Sequence, residues 1–168
     1  MIDPSRHGQN KGWLETIAGW IPGFSGYLER EERRESDYLA RKWMADRLQQ
    51  AKKGLDNTLR QLADAAKLDA LPPWERVRSR LDGLINKIRS AERGYSGFFD
   101  YVKVTEDVLG QVYQADMTLV ESVRGLAEAL ERQASDGPQA AIEMLAQVDK
   151  VESEFGKRAE ILRGLSSS

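Results

Sequence analysis

The sequence predicts an all-α fold, and three observations carry that reading. The chain of 168 residues is 31% charged and 40% hydrophobic with only five prolines, the balance of a helical bundle rather than a sheet. Its apolar residues recur in steps of three and four over long proline-free stretches, which is helix spacing and not the alternation of a strand. A five-residue phrase also occurs twice, as Gly23-Phe24-Ser25-Gly26-Tyr27 and Gly94-Tyr95-Ser96-Gly97-Phe98, each time ahead of a long helix-patterned segment. Behind each copy follow a proline-marked break, Pro72-Pro73 or Gly137-Pro138, and a shorter periodic segment. The expected architecture is therefore an elongated antiparallel bundle, up-down-up-down, made of two pseudo-repeated α-hairpins over residues 23–165.

Residues 1–22 form a separate N-terminal piece. Residues 1–10 read as a loose tail with the single histidine, His7. From Lys11 to Ile21, the residues Trp13, Leu14, Ile17, Trp20 and Ile21 share one face of a short amphipathic helix, which Pro22-Gly23 ends. From Tyr27 about forty residues run without proline, with Leu39, Trp43, Met44, Leu48, Ala51, Leu55, Thr58 and Leu62 on the apolar rows. Gly54 is a weak point in that helix, costing about 1 kcal/mol against alanine. Pro73 suits the first turn of the next helix, whose row is Trp74, Val77, Leu81, Leu84, Ile88, Ala91 and Tyr95. The third helix, from about Phe98 to Gln133, keeps Leu109, Val112, Leu119, Val123, Leu126 and Leu130 in register, with Asp116 on the same row. A carboxylate there needs an arginine, and Arg33 or Arg34 is the expected partner. After Pro138 the last helix presents Ala141, Ile142, Leu145, Val148, Val151, Phe155, Ala159 and Leu162.

Several chemistries are set aside by residue type. Without cysteine there is no disulfide, thiolate metal site or cysteine nucleophile. One histidine in a terminal tail leaves no Glu-x-x-His pair for a di-iron site and no Ser-His-Asp constellation. Glu106, Asp107, Asp116 and Glu121 are acids on one helix, and such acids are ordinarily a solvated face. The repeated phrase supplies structural joints at Gly23, Ser25, Gly26, Gly94, Ser96 and Gly97. Its glycines can take positive φ, and its serines can cap the helices that follow. An anion at these helix starts is conceivable, but no lysine follows in the P-loop pattern. No catalytic residue, metal, cofactor or small-molecule substrate is implied.

The net charge of −2 hides an asymmetry, with 18 basic against 14 acidic residues up to position 97 and 7 against 13 beyond it. One hairpin can thus complement the other inside the fold, or copies can assemble head to tail. Nucleic acid is a poor partner, because acids interleave the densest arginine run at 29–35. No stretch has the length and apolarity of a membrane span, and Met1-Ile2-Asp3-Pro4 lacks the regions of a signal peptide, so a cytoplasmic setting is expected.

The phrases Ile21-Pro22-Gly23-Phe24-Ser25-Gly26-Tyr27 with Glu31 and Arg33-Arg34-Glu35, and Gly94-Tyr95-Ser96-Gly97-Phe98-Phe99-Asp100, resemble those of a family of small uncharacterised bacterial helical proteins. The resemblance spans roughly residues 20–130 and implies a prokaryotic cytoplasmic protein, with no activity or ligand to carry over. The expected function is that of a non-enzymatic interaction or scaffold domain, binding a protein partner or itself through exposed helix faces. The alternative is a peripheral membrane module. In both, Trp13, Ile17, Trp20 and Ile21 are the candidate contact residues.

Overall fold

The computed structural model describes residues 4–91, 99, 104–133 and 135–164, and these form five helices. They are α1 (Pro4–Trp20), α2 (Arg30–Asp64), α3 (Leu71–Ser90), α4 (Glu106–Glu131) and α5 (Pro138–Gly164). At 1.5 Å per residue the 35 residues of α2 make it about 52 Å long, and the other bundle helices are about 30 to 40 Å. The third helix of the bundle, α4, starts later than its apolar pattern suggests. Thr105 sets that start, its hydroxyl accepting a hydrogen bond from Val108 N at 3.3 Å.

Helices α2 and α3 pack as one hairpin and α4 and α5 as another, with α2 against α4 and α3 against α5. Side-chain pairs give the direction across that seam. Tyr27, just ahead of α2, meets Tyr113 and Asp116 early in α4, and Arg47 of α2 pairs with Glu131 at the end of α4. On the other side Trp74 Nε1 donates to Asp136 O, Arg80 pairs with Asp149, and Lys87 pairs with Glu152. Both runs ascend together, so neighbours across the seam are parallel, while neighbours within each hairpin are antiparallel. Along the chain the four bundle helices therefore run up, down, up, down as expected, and what departs from a fully antiparallel bundle is the parallel pairing across the seam. The fifteen-residue connection from 91 to 105 lets α4 begin diagonally from the end of α3, which a tight turn would not allow. The same pairs place basic side chains of the first hairpin on acids of the second, so the charge asymmetry is matched within the molecule.

The core is the set of predicted rows: Met44, Leu48, Ala51, Leu55 and Leu62 face Trp74, Val77, Leu81 and Ile88, Leu119, Val123 and Leu130, and Val148, Val151, Phe155 and Leu162, all buried. Ile142, placed on the face of α5 by its spacing, is instead 56% exposed, and Met144 takes the core position. Turning between α2 and α3 requires a left-handed residue after the helix, and Ala66 supplies it at φ 55°. Ala66 N donates to Ala63 O at 3.1 Å and Lys67 N to Leu62 O at 2.9 Å, the paired bonds of a Schellman end, normally made by glycine.

Gly54 has a reason the sequence does not display. A Cβ there would lie 2.7 Å from the backbone oxygen of Leu130, so glycine sets how closely α2 and α4 approach. Gly54→Ala raises helix propensity by about 1 kcal/mol, yet the overlap with a backbone atom forces the helices apart. The expected net result is a loss of about 1–3 kcal/mol, read from urea unfolding; a stabilised variant would contradict the close approach.

Helix α1 lies along the side of α4 and does not cover an end of the bundle. It starts at Pro4, well before the expected Lys11. Arg6 pairs with Asp107, His7 Nδ1 lies 3.3 Å from Glu106, and Asn10 Nδ2 donates to the Glu106 backbone and side-chain oxygens at 3.0 and 2.7 Å. These contacts hold the first two turns against α4 and bring residues 4–10 out of the tail assigned to them. Within α1, Gly8, Gly12 and Gly19 have open space where a Cβ would stand, and each costs about 1 kcal/mol of helix propensity. The helix is therefore held by its seat rather than by its own backbone preference.

Candidate functional site

Where the starts of α2 and α4 meet the ends of α3 and α5, the bundle interior holds ions. Asp37 and Arg41 come from α2, Asp116 from α4, Arg158 from α5 and Tyr27 from the segment before α2, and each is at most 3% exposed. Arg158 is the hub. Its Nε donates to Asp116 Oδ1 at 2.5 Å, and its Nη2 donates to Asp37 Oδ1 at 2.7 Å and to Tyr27 Oη at 3.1 Å. Tyr27 Oη in turn donates to Asp116 Oδ2 at 2.5 Å. Arg41 Nε donates to Asp37 Oδ2 at 2.8 Å, and its Nη1 reaches Ile88 O and Arg89 O at 3.2 and 2.9 Å. That last contact places a cation on the final-turn carbonyls of α3, where the helix dipole favours it.

Two arginines and two aspartates balance, and the network touches all four bundle helices. Removing each ion from water costs several kcal/mol, so the network adds little net stability over an apolar core. It specifies register instead, because sliding any helix by one turn would strand a charge. Burial pushes the Asp116 carboxyl above its ordinary value, against the pull of Arg158 and the Tyr27 hydrogen bond. A raised carboxylate value favours folding at low pH and withdraws that support as pH rises through it, so protonation of Asp116 is not a source of acid unfolding.

Burial and the Asp116 charge raise Tyr27 well above the ordinary phenol range, and burial also raises Tyr113. Their sign is clear. The unfolded chain loses these protons near pH 10 while the folded chain keeps them, so their contribution is complete below about pH 10 and lost above it, at up to about 1.4 kcal/mol per pH unit for each group. Unfolding in urea should therefore steepen in its pH dependence above that point, and Tyr27→Phe should flatten it. An unchanged alkaline limb in Tyr27→Phe would mean that Tyr27 is solvated.

The expected partner of Asp116 was an arginine of the 29–35 run, and the structure places both of those elsewhere. Arg33 Nε donates to Tyr27 O at 2.8 Å and its Nη2 to Leu28 O at 3.3 Å, holding the segment that carries Tyr27. Arg34 lies over the Phe99 ring at 4.6 Å. Arg158 has the shorter route to Asp116, since α5 is the antiparallel neighbour of α4. The first joint is shaped as glycine requires, Gly23 and Gly26 having φ of 83° and 92°. A Cβ on Gly26 would stand 2.5 Å from Tyr113 Oη and 2.9 Å from Leu14 Cδ1, so this start is covered by side chains rather than open to an anion. Ser25 does not cap α2; it meets the Ser36 hydroxyl at 3.3 Å, and Glu29 holds the cap position without a side-chain bond. The second joint, Gly94, Ser96 and Gly97, lies outside the described residues.

Of the candidate contact residues, Ile17 and Ile21 are fully buried, and Trp13 and Trp20 are half-buried, Trp20 with Arg124 at 5.2 Å over its ring. Beside them lies a groove of about 390 Å3 between the end of α1 and the flank of α2. Ile21, Pro22, Leu39 and Trp43 line it, and Lys42, Asp46 and Arg47 rim it. The rim charges are held in place, Lys42 by Asp46 at 2.6 Å and Arg47 by Glu131.

Comparison with protein-family models, with curated proteins and with solved structures finds no match for this chain. Among the described residues no helix is long and apolar enough to cross a membrane.

Proposed function

We propose that this chain is a non-enzymatic helical interaction domain that binds a protein partner, or a second copy of itself, through exposed helix faces. The observation that carries the reading is the groove of Ile21, Pro22, Leu39 and Trp43 with its ordered charged rim. An aromatic and aliphatic floor inside a polar rim is the anatomy of a protein interface, and tryptophan and arginine are the residues most often dominant in binding. The interior ions support the same reading from the other side. Asp37, Arg41, Asp116, Arg158 and Tyr27 bond to one another and to backbone, so their chemistry is spent on holding the scaffold. Ile17 sits in the bundle rather than at the surface, which favours a protein-binding module over a membrane-surface one. In this reading the two hairpins are repeats of one unit.

The test compares affinity capture from the native host by the wild type and by Leu39→Ser with Trp43→Ser. Both positions are half-buried, so melting temperature should fall only modestly while capture of a defined protein, or self-association in sedimentation, is lost. Equal capture by both proteins would contradict this groove as the contact surface.

A further inference from the structure

We infer that α1 is an exchangeable element, and that its seat on α4 accepts α1 from a second copy, giving a two-fold dimer by reciprocal exchange. The inference goes beyond the proposed function, since its contacts lie on α4 and not in the groove of Leu39 and Trp43. First, α1 is separable. It lies outside the square of α2 to α5, its helical neighbour is α4, and its three glycines face open space, so nothing but the seat keeps it helical.

Second, the hinge is built in. Nine residues, 21–29, join α1 to α2, with Pro22 and with Gly23 and Gly26 at positive φ. Extended, such a connector reaches about 30 Å. Tyr27 is the fixed end, pinned by its backbone N–H to Tyr113 Oη at 3.0 Å and by its own hydroxyl to Asp116. Movement of α1 about Pro22–Gly26 therefore withdraws Ile17 and Ile21 from the core, places that the second copy's helix refills, and leaves the ionic network fastened at Tyr27.

Third, the seat is cut for this helix. Gly110 leaves room for Asn10 and Trp13, which would lie 3.2 and 3.5 Å from a Cβ there, and Gly26 makes room for Leu14. Arg124 covers Trp20, Asp107 receives Arg6, and Glu106 receives Asn10. A second copy carries the same helix and is the occupant that matches every one of these features. Exchange reuses native contacts, which makes it a low-cost route to a dimer. Its own tether competes at an effective concentration of about millimolar, so the dimer should grow as chain concentration approaches that level.

The chain has no cysteine, so introduced pairs report without background. Asn10→Cys chains are mixed with Gly110→Cys chains and oxidised over a concentration series. The expected result is a disulfide-linked dimer several-fold above that from Gly8→Cys with Gly110→Cys, since Gly8 points to open space, with yield rising with concentration. Yield at the Gly8 level throughout would overturn the inference. Placing Asn10→Cys and Gly110→Cys in one dilute chain should close an internal disulfide, because the short Asn10 side chain lies 3.2 Å from a Cβ at 110; failure to close would overturn the seat itself. Leu39→Ser with Trp43→Ser should leave cross-linking unchanged, so failure of the groove and failure of exchange are read separately.

Discussion

Arg158→Ala should cost about 3–5 kcal/mol, the usual penalty for stranding buried charge. The guanidinium is the sole described group bonding Asp116 to Asp37, and its removal leaves Asp116 with only the Tyr27 hydroxyl among the described hydrogen bonds, at zero exposure. Against the 5–15 kcal/mol that stabilises a domain of this size, the variant should be partly unfolded at 37 °C or close to it. Arg158→Met combined with Asp116→Leu removes both members of one pair and leaves Asp37 with Arg41. That double variant should recover more than half the loss, because apolar replacements of similar volume are tolerated in place of a buried pair. Urea unfolding of the two variants decides the matter. A loss below about 1 kcal/mol in Arg158→Ala would correspond to a surface pair and contradict the burial.

Trp74→Ala should be comparably severe, at about 3–5 kcal/mol. The indole is fully buried in the first turn of α3, and its Nε1 donates to Asp136 O at 2.8 Å in the turn before α5. Truncation therefore empties a large volume and leaves the Asp136 carbonyl without that donor. It also removes a direct link between the far ends of the two hairpins. Trp74→Phe restores most of the ring volume and not the donor, so it should lose about 1–2 kcal/mol, less than the alanine variant. Equal losses in the two variants would assign the whole effect to the hydrogen bond and none to packing.

The helices were legible because their rows keep strict spacing, and the ionic network was half legible for the same reason. In α4 the row 109, 112, 116, 119, 123 passes through Asp116, which the spacing singles out. The α2 row, continued backwards from Leu62 through Thr58, Leu55, Ala51, Leu48 and Met44, lands on Arg41 and Asp37. The α5 row 141, 144, 148, 151, 155 lands next on Arg158. Two acids and two bases on three apolar rows is a signal of mutual pairing. It was missed because the α2 row was begun too late and because Ala159, beside Arg158, satisfied the α5 pattern.

Other features depend on contacts that sequence spacing does not encode. Gly54 looks like a weakness until Leu130 O is found against it, and Ser25 looks like a cap until Ser36 is found beside it. The extent of α1 was hidden by its glycines and polar residues, since Arg6, His7 and Asn10 become helical through Glu106 and Asp107 on a distant segment. The parallel pairing across the seam was invisible for a similar reason. Turn chemistry orders neighbours within a hairpin, whereas a fifteen-residue connection leaves the next helix free to choose its side.

A buried ionic network fastens the four bundle helices together at one end. Hydrogen exchange at the arginine Nε–H groups, followed by NMR, tests it without any substitution. Arg158 Nε–H on Asp116 and Arg41 Nε–H on Asp37 should exchange as slowly as backbone amides of the core, through global unfolding, while Arg76 and Arg60 on the surface exchange at solvent rates. Arg158 exchanging at the rate of Arg76 would contradict the account.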